Sequence, residues 1–150
     1  MTPRLVGLCV ALACCAVGAA CGAAAIFGIG ARDEAGLIIF YSDTARLIAP
    51  DTVLHGVSFD VSFSTFGGGC TRKMAHDDVR ISGNAVEVRP YDHNDGGNVC
   101  TLDLLFLKRV LPVRMEVPGA YVIHLIGLQR GASTGGTNGA AEITRAVVVR

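Results

Sequence analysis

The chain has 150 residues, 51% of them hydrophobic, with 13 Lys and Arg against 13 Asp and Glu. A neutral balance, with no Lys or Arg run among the aromatics, lacks the electrostatic footprint of nucleic-acid binding. Once an apolar N-terminus is set aside, roughly 115 residues remain, enough for one hydrophobic core and too few for two domains.

That N-terminus reads as a leader. Arg4 precedes an uncharged run that begins at Leu5 and ends in Gly18, Ala19 and Ala20, directly before Cys21. The segment resembles the lipobox of bacterial lipoproteins, although Gly18 stands where such boxes usually carry Leu. The resemblance implies a signal peptide over 1–20, acylation of the Cys21 thiol, a short linker over 21–35, and attachment to the membrane through the lipid. The location implied is the cell envelope, at the outer membrane or on its periplasmic side. Two other readings stay open. Small residues also suit ordinary secretory cleavage before Cys21 or after Ala25, and the uncharged run to Ala31 exceeds the ~20 residues of a membrane span. All three export residues 33–150, and loss of Arg4 with the leader leaves twelve basic residues (13 minus one) against 13 acidic.

Period-two alternation dominates the rest. Val57, Phe59, Val61 and Phe63 fall on one face of an extended segment, and Ser58, Asp60, Ser62 and Ser64 on the other. Further strands are expected over 37–41, 79–82, 86–89, 100–108, 113–117, 121–127 and 143–149. Most are β-branched or aromatic-rich and bounded by Gly, Pro, Asn or Asp. Seven to eight short strands without a helical period predict an all-β fold, an antiparallel β-sandwich over 36–150.

Two stretches carry a family resemblance. Ala49-Pro50-Asp51-Thr52-Val53, Gly56 and the alternating strand to Phe63 resemble the opening strands of bacterial immunoglobulin-like domains. Pro118-Gly119-Ala120-Tyr121-Val122-Ile123-His124-Leu125 is similar to their E-to-F turn. The resemblance covers about 47–149 and implies an immunoglobulin-like sandwich in which Tyr121 is the tyrosine-corner residue, its hydroxyl bonded to backbone upstream. Antibody domains also pack a Trp on a disulfide between strands B and F. Here Trp is absent, and Cys70 and Cys100 lie elsewhere in the strand order.

Cys9, Cys14 and Cys15 belong to the leader, which leaves Cys70 and Cys100 as the pair in the exported part. Flanked by Gly67-Gly68-Gly69 and Gly96-Gly97, they read most simply as a disulfide between two loops, with reactive thiols or metal ligands as alternatives. The most polar segment, 91–98, contains Asp92, Asn94 and Asp95. Its oxygen donors suggest calcium, but the spacing misses the EF-hand register by one residue, and the same residues suit a tight loop. His76-Asp77-Asp78 and His93, which could meet across the disulfide-linked loops, are weak candidates for a transition-metal site. His55 and His124 show no partner in the sequence.

No catalytic set is legible. Gly131-Ala132-Ser133-Thr134-Gly135 matches the hydrolase elbow pattern, but no His follows Ser133. No cofactor is implied. The expectation is a non-catalytic envelope lipoprotein that contacts another envelope protein. The alternative is an exported inhibitor or ligand-binding domain using the Gly-rich loops 66–71, 92–99 and 131–140.

Overall fold

The computed structural model describes residues 31–68, 72–95, 104–131 and 138–150. Strands account for 76% of these, and helix is absent among them, so the all-β expectation holds. In chain order the strands are β1 (Arg32–Ala35), β2 (Leu37–Phe40), β3 (Asp43–Thr44), β4 (Thr52–Val53), β5 (Ser58–Gly68), β6 (Arg72–Ser82), β7 (Ala85–Asn94), β8 (Leu104–Arg114), β9 (Gly119–Arg130) and β10 (Gly139–Val149). All are joined by hydrogen bonds in one sheet of path β1-β7-β9-β2-β5-β8, with β6 on β7, β10 on β9, β4 on β10 and β3 on β2. The sheet curls into an open half-barrel. Pairing is mixed rather than wholly antiparallel, since β7 and β2 both run parallel to β9, and β4 parallel to β10.

The path of the sheet divides where β1 and β2 enter between β7 and β9. Strands β7 and β9 pair directly only from Ala85↔Val122 to Val88↔Leu125. Beyond that they part, and β1 takes the free edge of β7 while β2 takes that of β9. Gly36 is the turning point, donating its N–H to Pro90 O at 2.8 Å and accepting from Leu128 N at 2.9 Å. A Cβ at Gly36 would lie 2.6 Å from Thr65 Cγ2, and one at Gly127 would lie 2.5 Å from the Gly36 carbonyl oxygen. Two glycines therefore permit the close backbone approach that lets the wedge in.

Inside the curl, alternate residues of each strand meet. Val86 and Val88 of β7, Tyr121, Ile123 and Leu125 of β9, Val61 and Phe63 of β5, Val113 of β8 and Val147 of β10 are all buried. Full burial of one such side chain is worth about 1.5–3 kcal/mol, so this shared face is the main stabilising layer. The Tyr121 hydroxyl donates to Val117 O at 3.0 Å, four residues upstream. The hairpin joining β6 to β7 turns at Gly83, whose φ of 55° beside a negative φ at Asn84 gives a type II′ turn.

Boundaries differ from the sequence expectation for identifiable reasons. The described part of the segment expected over 100–108 and the start of that expected over 113–117 fall on one strand, β8 (Leu104–Arg114), running through Pro112. Among the described residues its only ladder partner is β5, so the missing proline N–H breaks no ladder bond on the other edge. Strand β1, with the charged run Arg32-Asp33-Glu34, lies inside the expected linker 21–35 and forms because β7 offers it an edge. Residues 91–94 of the expected acidic loop belong to β7. The leader with Cys21, and likewise Cys70, Cys100 and Ser133, lie outside the described residues.

Candidate functional site

On β7 the core-facing positions Val86, Val88 and Pro90 continue to Asp92, which places a carboxylate in the interior with 0% exposure. On β8 the parity of Val113 and Leu111 leads to Arg109, opposite Phe63 of β5 and 4% exposed. The two charges meet across the curl. Arg109 Nη2 donates to Asp92 Oδ1 and, at 2.9 Å, to Tyr91 O. Its Nη1 donates to Asp77 Oδ1 and, at 3.1 Å, to His76 O. Asp92 Oδ1 also accepts from the Thr65 hydroxyl at 3.2 Å.

These carbonyls are free for a local reason. The β6–β7 register slips between Met74 and His76, leaving Ala75 without a partner, and Pro90 stands one residue beyond. A bulge next to a proline breaks the ladder, and a planar guanidinium with five donors can satisfy several acceptors at once. Arg109 thus ties β8 to β6 and β7, strands with which β8 shares no ladder.

Burial sets the electrostatics. The Asp92 carboxyl is held above the usual carboxylate range because desolvation of its anion outweighs the pull of Arg109 and the Thr65 hydroxyl. Asp92 Oδ2, Arg109 Nε and Arg72 Nη1 are buried and find no partner among the described residues.

Two more polar groups lie along the same strand ends. Glu34 of β1 takes Arg72 and, at 3.0 Å, Asn94 Nδ2, with Arg32 at 3.7 Å. Asp33 holds His93 Nδ1 at 2.6 Å and faces His76 Nδ1 at 3.7 Å. His93 Nε2 lies 3.3 Å from Asp95, which Lys73 reaches at 2.9 Å. The hydrogen bond from Lys73 holds the Asp95 carboxyl below its usual range. The His76 ring stacks on Tyr91 with centroids 4.6 Å apart.

The sequence candidates therefore separate. His76 and His93 gather around Asp33, with Asp95 on the other nitrogen of His93, whereas Asp92 is buried under Arg109 and Asn94 is held by Glu34. Among the described residues no three His, Cys, Asp or Glu side chains are placed to hold a metal ion. Both His93 nitrogens already face carboxylates, and Asp92 turns inward rather than toward a loop. His124 and His55, without visible partners in the sequence, meet Glu142 and, at 3.0 Å, Arg150 O. Sequence reasoning missed Arg109, Thr65, Glu34, Arg72 and Asp33, and it named Asp77 only as a metal candidate beside His76, where the structure shows it holding Arg109. Parity points to Asp92, which continues the phase of Val86 and Val88, but β8 is apolar on both phases, so Arg109 is placed inward only by its partner strands.

Chemically, the buried cluster is a brace. An arginine that donates to four oxygens has no proton to exchange near neutral pH and presents no nucleophile. No protein-family model, curated protein or solved structure matches the chain.

Proposed function

We propose that the chain is a non-catalytic lipoprotein of the cell envelope, anchored through Cys21, whose β domain serves as a contact module for another envelope protein. The observation that carries this reading is that the buried charges are spent internally. Arg109 joins Asp77, Asp92 and two carbonyl oxygens, so the cluster braces the fold instead of facing a substrate. What the domain offers outward is its exposed sheet surface, including Val79 and Ile81 of β6 and Val122 of β9, and contact through such a surface needs rigidity rather than chemistry.

An immunoglobulin-like ancestry for the module is supported by the Tyr121 to Val117 corner bond and the alternating β5 strand. The test is copurification of the full chain from mild detergent after crosslinking in intact cells. A stable complex with an envelope protein is expected. Capture of a protease or small ligand instead would favour the inhibitor reading.

A further inference from the structure

A row of aromatic rings crosses β8, β5 and β2, with Phe66 part of the buried core, Phe40 packed against that core, and the two ends reaching the surface. Phe106 and Phe66 lie opposite each other in the β5–β8 register, with ring centroids 5.3 Å apart. Phe66 stacks on Phe40 at 5.9 Å, and Phe40 meets Tyr41 edge-on at 4.4 Å. Phe66 is off the phase of Val61, Phe63 and Thr65 yet only 2% exposed, because its neighbours cover it. The ends of the row are open: Phe106 is 60% and Tyr41 50% exposed, and Leu104 and Leu105 beside Phe106 are exposed as well.

Tyr41 occupies the two-residue turn between β2 and β3 with φ at 55°. That left-handed conformation is strained for a bulky residue and natural for glycine. The fold thus keeps an exposed ring where the backbone alone favours none.

Exposed rings, not charge, set this patch apart: Tyr41 and Phe106 are the aromatics exposed on the described surface, whereas Arg46 and Arg80 elsewhere also meet no carboxylate among the described residues, and Asp43 shares the turn with Tyr41. Arg32 and Arg72 face Glu34, Lys73 faces Asp95, Arg89 faces Glu87, Arg114 faces Glu116 and Arg145 faces Asp51. Lys108, two residues from Phe106 on the same outward phase, meets no carboxylate among the described residues. Arg130 meets none either, and its guanidinium lies over the Phe40 ring at 5.8 Å. Exposed rings beside uncompensated cations complement an anionic lipid surface, where rings settle at the headgroup boundary and cations reach the phosphates.

The chain outside the structure enters from the same end. Arg32 stands opposite Asn94, which stands opposite Arg72. A Cβ at Gly67 would lie 3.4 Å from Arg72 Cβ, and Gly67 adjoins Phe66. The segment before Ala31 is the uncharged apolar run, so it joins the domain beside the aromatic row.

We infer that the exposed rings of Phe106 and Tyr41, held in place by the buried Phe66 and half-buried Phe40 between them, form with Lys108 and Arg130 a docking face that lays the domain against an anionic phospholipid bilayer. The inference rests on the anchored reading proposed above.

The chain contains no Trp, so Phe106→Trp in the full chain supplies a single indole. The variant is reconstituted into vesicles of phosphatidylcholine and phosphatidylglycerol with brominated acyl chains. Its emission should shift to the blue and be largely lost. An indole from Ile81→Trp, next to the β6–β7 turn at the far end of that hairpin from Arg72, should keep its emission. Adding Lys108→Glu and Arg130→Glu should restore the Phe106→Trp signal, as should Tyr41→Gly, whose backbone suits glycine and which therefore folds. Protein that floats with the vesicles while the indole stays unquenched keeps the anchor and overturns the docking face. A quenched indole on chains carrying no lipid supports docking and removes the anchor. Absence of both flotation and quenching overturns both, and a dimer that shields the indole from bromine overturns docking in favour of a second copy.

Discussion

Arg109 of β8 and Asp92 of β7 form a buried ion pair across the open side of the curled sheet, between strands that share no ladder hydrogen bonds. Because the same guanidinium also holds Asp77 and the carbonyls of His76 and Tyr91, one side chain closes the gap. Removing it leaves Asp92 with only the Thr65 hydroxyl, and strips the same donor from Asp77 and two carbonyls. Arg109→Met should therefore cost about 3–5 kcal/mol, the usual penalty for stripping one partner from a buried pair. Urea unfolding checks this, and a loss within the ordinary surface range of ±0.5 kcal/mol would contradict it.

Asp92 gives the fold a pH signature. Its folded-state carboxyl is raised by desolvation, so its contribution is fully present below the ordinary value of about 4 and is lost as pH rises through the raised value. Asp92→Asn cannot titrate. Melting curves across the acid range should show wild type losing stability relative to Asp92→Asn as pH increases, then running parallel to it. The opposite slope would mean that attraction to Arg109 outweighs burial.

The glycine crossing is testable by two small additions. Gly127→Ala pushes a methyl against the Gly36 carbonyl, which only backbone movement relieves, so a loss of about 1–3 kcal/mol is expected. Gly131→Ala meets nothing within 4 Å and should be close to neutral in the same denaturation assay.

The bridge between Cys70 and Cys100 remains a proposal that the flanking strands support. Gly68 pairs with Leu104 and Arg72 with Asn94, so the segments holding both cysteines start from ends brought together by two ladders. On the loop-entropy model such a bridge is worth roughly 3 to 4 kcal/mol. Cys70→Ser should lower the melting temperature and expose a free thiol at Cys100, and thiol labelling of non-reduced wild type should find neither residue free.

The strands were legible wherever alternation was strong. Val57 through Phe63 announced β5, and the Tyr121 and Ile143 segments announced β9 and β10. What stayed hidden depends on partners distant in sequence. Arg32-Asp33-Glu34 has no apolar phase and becomes β1 only because β7 is left with a free edge. Pro112 looks like a break until β8 is seen to be an edge. Asp92 looked like a loop residue beside Asn94 and Asp95, and Arg109 ended an apolar run. Their kinship appears only when both phases are followed inward, because nothing local distinguishes a buried charge from an exposed one.

The intact mass of the protein extracted from its native membrane tests the functional account most directly. A polypeptide beginning at Cys21 and carrying a diacyl or triacyl modification is the predicted result. An unmodified chain beginning at Cys21 or Ile26, or one retaining residues 1–20, would contradict the lipid anchor on which the envelope assignment rests.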